Sequence, residues 1–116
     1  MAGLLVAASI ATAGCARPKP VDRSGLCADV STTRQLLAGA DGLSQVEQIE
    51  RIQALEGSLT TEAIGAGAEG DGANGTAAAQ LAQALGAWKN DIALDQDAGG
   101  DRANAAAAVA EIQGCG

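Results

Sequence analysis

The chain has no histidine, no tyrosine and no phenylalanine, and a single tryptophan, Trp88, among its 116 residues. Without His and Tyr, the commonest general base and a frequent proton donor are both missing. Ser24, Ser31, Ser44 and Ser58 lack a Gly-x-Ser-x-Gly setting, and no Cys-x-x-Cys occurs. Paired carboxylates are the remaining catalytic option, but acids on helix surfaces are usually a solvated face. The expectation is a protein that is not an enzyme and carries no cofactor. Metals that favour nitrogen or sulphur ligands are excluded with the histidines. Seven basic residues stand against fourteen acidic ones, so there is no basic patch to neutralise phosphates. Nucleic acid is therefore not an expected partner. No strand pattern appears anywhere.

What is present begins at the N-terminus. Leu4 to Ala11 form a short apolar core, followed by the small residues Ala13 and Gly14, as secretory signals require. Thr12-Ala13-Gly14-Cys15 resembles the lipobox of bacterial lipoproteins, with Thr12 where that family usually has Leu. The resemblance implies that residues 1–14 are a signal peptide and that Cys15 carries lipid, of palmitate type. The mature chain would then sit on the extracytoplasmic face of the cell membrane. Met1-Ala2-Gly3 holds no Lys or Arg, so the true start is expected upstream. Three other readings stay open. A transmembrane anchor needs roughly 20 apolar residues, and this run stops at about 14. A cleaved, soluble protein is the second. A buried core helix is the third, opposed by the small residues and by Arg17-Pro18-Lys19-Pro20. Lipid on Cys15 also resolves an odd cysteine count, leaving Cys27 and Cys115 to pair in an oxidising compartment.

Residues 15–25 read as a tether: two prolines, alternating charge, and Arg17, Lys19 and Arg23 against Asp22. Anionic headgroups would attract it. Residues 26–116, the expected domain, carry four basic and thirteen acidic residues and would be repelled. Between residues 27 and 116 there are only seventeen Leu, Ile, Val and Trp side chains, a thin supply for a globular core. Alanine replaces them; it favours helix but buries little area. Such a domain is expected to be marginal without a covalent staple.

Four helices are expected. Leu26, Val30, Thr33, Leu37 and Ala40 mark the first. Ser44 and Glu47 form a capping box for the second, whose stripe is Val46, Ile49, Ile52, Leu55 and Leu59, with Glu47 and Arg51 as an i,i+4 pair. Gly57 makes a kink or break plausible there, and the glycine-rich run Gly65 to Gly75 is expected to be the most mobile part. The third helix spans about Thr76 to Gln96, with Leu81, Leu85, Trp88 and Ile92 at bundle-core spacing. The fourth opens at Asp101 as N-cap and packs through Ala105, Ala108, Val109 and Ile112 before Gly114.

Short connections suggest an all-α, up-down-up-down four-helix bundle. That topology brings the start of the first helix and the end of the fourth together, where Cys27 and Cys115 stand, so one disulfide closes the bundle. In this layout the chain resembles the small, Ala-rich, helical secreted lipoproteins of high-GC Gram-positive bacteria. The resemblance implies fold and location, and that group is largely without assigned function. Two site candidates remain. Asp95, Asp97 and Asp101, with Gly100, match calcium-loop positions 1, 3, 7 and 6, but Gly99 at position 5 and Ala106 at position 12 do not fit. An acidic interhelical turn is the plainer reading. Trp88 would line a ligand pocket between helices, or is simply the largest core residue. The expected function is a surface-anchored interaction or structural module with a cell-envelope partner. The alternative is a carrier of a small apolar ligand or lipid.

Overall fold

A computed structural model describes residues 22–115. The lipobox, Cys15 and the tether as far as Val21 lie outside the described residues. Four helices follow one another: α1 (Ser24–Gly39), α2 (Gln45–Ala68), α3 (Gly72–Ala93) and α4 (Gly99–Glu111), with a 3-10 turn at Ala40–Gly42 between the first two. They form the expected up-down-up-down bundle. Each helix packs on the next, and α1 closes the ring against α4.

The body begins earlier than the composition suggests. Asp22 Oδ1 accepts from the Ser24 backbone N–H at 2.9 Å and from its hydroxyl at 2.7 Å, which opens α1 two residues before Leu26. Arg23 also belongs to the folded body, because its guanidinium is held by Asp71 at 2.9 Å. At the α1–α2 corner, Gln48 Nε2 donates to the carbonyls of Ala40 (2.9 Å) and Leu43 (3.1 Å), tying α2 back to the turn before it. The capping box is made as expected, with Glu47 N–H on Ser44 Oγ and Ser44 N–H on the Glu47 carboxylate. Glu47 thus serves the cap, and no ion pair with Arg51 is found among the described residues.

Two glycine-based expectations need correction. Gly57 does not break α2, which runs 24 residues through it. The run from Gly65 to Gly75 is structured rather than loose. Its first half completes α2, and its second half starts α3 four residues ahead of Thr76. The turn between them is a Schellman motif: Asp71 N–H reaches Ala66 O at 2.8 Å, Gly70 N–H reaches Gly67 O at 3.2 Å, and Gly70 takes φ +84°. Gly75 is buried against α2, where an added Cβ would lie 3.0 Å from the Ala63 carbonyl oxygen and 3.3 Å from the Gly67 nitrogen. These two glycines serve one tight turn and one close backbone approach.

The core is where the spacing puts it on α3 and α4. Leu81, Leu85 and Trp88 are buried with Ala105, Ala108, Val109 and Ile112, and Ile92 packs at the edge. On α1, Leu36 is buried and Leu37 only half-buried. On α2, Ile52, Leu55 and Leu59 are buried, but Val46 is 64% exposed. Leu43, just before the cap, packs against the core at that end instead. Ala66, Ala77, Ala78 and Ala84 are buried as well, so small side chains make up much of what α2 and α3 bury.

Candidate functional site

The end where the chain enters the body is the most connected part of the molecule. Cys27 and Cys115 are bonded there, with Cα atoms 5.2 Å apart, inside the range a bridge requires. Asn74, 2% exposed at the start of α3, clasps the C-terminal segment with its side-chain amide. Its Oδ1 accepts from the Gln113 N–H at 2.9 Å and its Nδ2 donates to the Gln113 carbonyl at 2.9 Å. Nδ2 also donates to Asp71 Oδ2 at 3.1 Å, the same oxygen that takes Arg23 Nε. Arg23 and Asn74 together hold the Asp71 carboxyl below its ordinary range, and Arg23 is raised in return by Asp71. Gly114, at φ +86°, lets the chain pass beside Arg23, where a Cβ would collide with the guanidinium. The sequence gives no periodicity or charge signal for this network. Only the Asp-x-x-Asn spacing at a helix start hints at it.

At the other end, Arg102 joins α4 to α1. It donates to Asp41 Oδ1 at 3.0 Å and to the Leu37 carbonyl at 3.1 Å, and its guanidinium carbon stands 5.2 Å from the centre of the Trp88 ring. Trp88 is 1% exposed and surrounded by core. Five hollows open elsewhere on the body, and Trp88 lines none of these five.

The acidic turn is explained by backbone geometry. Asp95 adopts φ 54°, and Gln96 N–H reaches Asp91 O at 2.7 Å while Asp95 N–H reaches Ile92 O at 3.2 Å. This is a second Schellman motif, with an aspartate where glycine is usual. Asp97 Oδ1 accepts from Gly99 N–H at 2.9 Å, so α4 opens at Gly99 and Asp101 falls in its first turn rather than at its cap. Asp95, Asp97 and Asp101 are thus not gathered into a coordination shell; among the described residues no group of three acids or cysteines could hold a metal ion. Asp91, in the last turn of α3, has one carboxylate oxygen buried without a partner. The neighbouring Asp101 carboxyl, then burial and the charge of Asp97, push its carboxyl up.

One face differs from the rest of this acidic body. Between Gly72 and Trp88, α3 carries no charged side chain, and between Gly57 and Ala68, α2 carries only Glu62. Where these stretches meet, the outer groove has two hollows of about 430 and 400 Å³ that share Ala63, Ile64 and Ala79. Ile64 stands between them, 71% exposed. The Lys89–Glu56 ion pair, 2.7 Å, borders the groove where α3 regains charge. Sequence reasoning placed Ile64 on no face. Its sign was available: a large apolar residue off the stripe of Ile52, Leu55 and Leu59. Among the described residues no helix is long and apolar enough to cross a membrane. No family model matches the chain, and neither a curated protein nor a solved structure matches it.

Proposed function

We propose that this chain is a membrane-anchored extracytoplasmic lipoprotein, lipidated at Cys15, whose helical body is a non-catalytic interaction or structural module. Its partner would be a protein of the cell envelope. The observation that carries the module reading is the sparsely charged α2–α3 face with Ile64 exposed upon it. Contiguous exposed apolar surface, here Ile64 with Ala63, Ala79 and Ala82 along the groove, is a common mark of contact surfaces. The packed surroundings of Trp88 favour the same reading, since a carrier would need an opening beside that ring. The anchor reading rests on Thr12-Ala13-Gly14-Cys15 and on the pairing of the other two cysteines.

Two measurements test it. A photo-crosslinking residue at Ile64, expressed in intact cells and followed by mass spectrometry, should capture an envelope protein that the same residue at the solvent-facing Glu111 does not. Capture from neither position, together with a shift in Trp88 emission on adding lipid, would replace the module by the carrier. A fatty-acid analogue fed to cells should label the wild type and not Cys15→Ser. Label retained on Cys15→Ser would remove the anchor.

A further inference from the structure

We propose that Asn74–Gly75 is a latent deamidation site, held shut by the clasp on Gln113 and opened when the C-terminal segment lets go. This does not depend on the module or the anchor. The chemistry is intrinsic to the dipeptide. The Gly75 backbone nitrogen attacks Asn74 Cγ, the new N–Cγ bond forms, and the Cγ–Nδ2 bond breaks. The amide nitrogen leaves as ammonia, taking up the proton that the backbone N–H gives to solvent. Water then opens the cyclic imide at either carbonyl, leaving aspartate or isoaspartate at position 74. Water is the only co-reactant. Glycine in the second position removes the Cβ that otherwise crowds the attacking nitrogen. The other two asparagines, Asn90 and Asn104, precede Asp91 and Ala105, each of which has that Cβ.

The folded structure blocks every part of this step. The attacking Gly75 N–H is engaged by the Asp71 carbonyl at 2.9 Å. The Asn74 amide is fixed by three hydrogen bonds, two of them to Gln113, so its carbon cannot swing over the following nitrogen. The side chain is 2% exposed, within the first turn of α3. Reaction therefore requires an open state, and its rate follows the population of that state. Gln113 lies two residues before the bridged Cys115, which couples the opening to the disulfide. The change cannot be reversed by reclosing. A carboxylate oxygen would replace Nδ2, which now donates to both the Asp71 carboxylate and the Gln113 carbonyl. Two acceptors would face an acceptor, and a buried acceptor without a donor is costly.

The test uses the full chain at mildly alkaline pH, with peptide mapping by mass spectrometry at all three asparagines. In urea, Asn74 should convert well ahead of Asn90 and Asn104. In the native oxidised chain it should be at least about 100-fold slower than in urea, as the rarity of the open state requires. Gln113→Pro keeps the disulfide and suits the extended backbone of Ile112 before it (ψ 125°), but removes the N–H that holds Asn74 Oδ1. Loss of one such bond should speed native conversion by about 5- to 10-fold. Circular dichroism would verify that this variant is folded. A native rate within about threefold of the urea rate would overturn the proposal, because opening would then cost almost nothing. So would a Gln113→Pro rate equal to the wild type, or no preference for Asn74 in urea.

Discussion

Removing the bridge with Cys27→Ser and Cys115→Ser should cost a large part of the stability of this domain. The cysteines are 88 positions apart, and the chain-entropy model gives about 4.6 kcal/mol for a loop of that length, within a usual observed range of roughly 2–5. Residual structure in the reduced, unfolded chain lowers the loss below that figure. In the folded state Asn74 still holds Gln113, and Ile112 is buried in the core, so the C-terminal segment stays partly docked without its covalent link. We therefore expect about 3 kcal/mol, which for a domain of this size lowers Tm by roughly 12–24 °C. The assay is thermal and urea denaturation followed by helical circular dichroism, with and without reductant. Wild type under reductant should superimpose on the double variant. A fall of less than about 5 °C, under 1 kcal/mol or so by the same conversion, would refute the reasoning and show that alanine packing along α2 and α3 suffices.

Gly57 and Gly75 should respond oppositely to alanine. At Gly57 a Cβ meets nothing within 4 Å, so Gly57→Ala should stabilise by about 0.8–1 kcal/mol through helix propensity, read as a higher urea midpoint. At Gly75 the Cβ meets immovable backbone, and Gly75→Ala should show a net loss of about 1–2 kcal/mol by the same assay. Asp95→Gly should stabilise by about 1 kcal/mol, because φ 54° is a conformation that glycine adopts without a Cβ penalty; an unchanged midpoint would count against the Schellman account of this turn. In the pH dependence, Asp22 and Asp71 lie below the ordinary 3.8 and Asp91 above it. The contribution of Asp22 and Asp71 is present above 3.8 and lost as pH falls through their depressed folded values. That of Asp91 is present below 3.8 and lost as pH rises through its raised folded value. Asp91→Asn should therefore raise Tm at neutral pH and flatten the Tm–pH curve just above 3.8; a lower Tm at neutral pH would contradict the repulsion from Asp101 and Asp97.

Periodicity was enough for the four helices, the faces of α3 and α4, and the topology that joins Cys27 to Cys115. The capping box was legible for a different reason: Ser44 and Glu47 are three residues apart, so local sequence determines the contact. The glycines misled because composition does not distinguish their uses. Gly70 supplies a positive φ, Gly75 supplies room for a neighbouring backbone, and Gly57 supplies neither; all three look alike in the sequence. Arg23 was assigned to the tether because its partner, Asp71, is 48 residues away. Val46 fits the apolar stripe of α2, but the bundle core at that level is already covered by Leu43. Of the candidate site residues, Trp88 lies in the core, Asp95 and Asp97 in the turn before α4 and Asp101 in its first turn, and Cys15 lies outside the described residues. The sparsely charged groove around Ile64 needed the tertiary structure, because it is formed by two helices whose exposed sides there are both bland.

The position of the disulfide also decides how the domain would bear a mechanical load. A pull on the chain before Asp22 reaches the ion pair of Arg23 within one residue and the covalent bridge at Cys27 within five. From there the tension divides between α1 and, through Cys115, the end of α4. Unwinding from the N-terminus would halt after the first turn of α1, since every residue from Cys27 to Cys115 lies inside a covalently closed loop. Peeling the helices apart in sequence is thereby forbidden, and a sustained tug would have to shear α1 and α4 together out of the bundle.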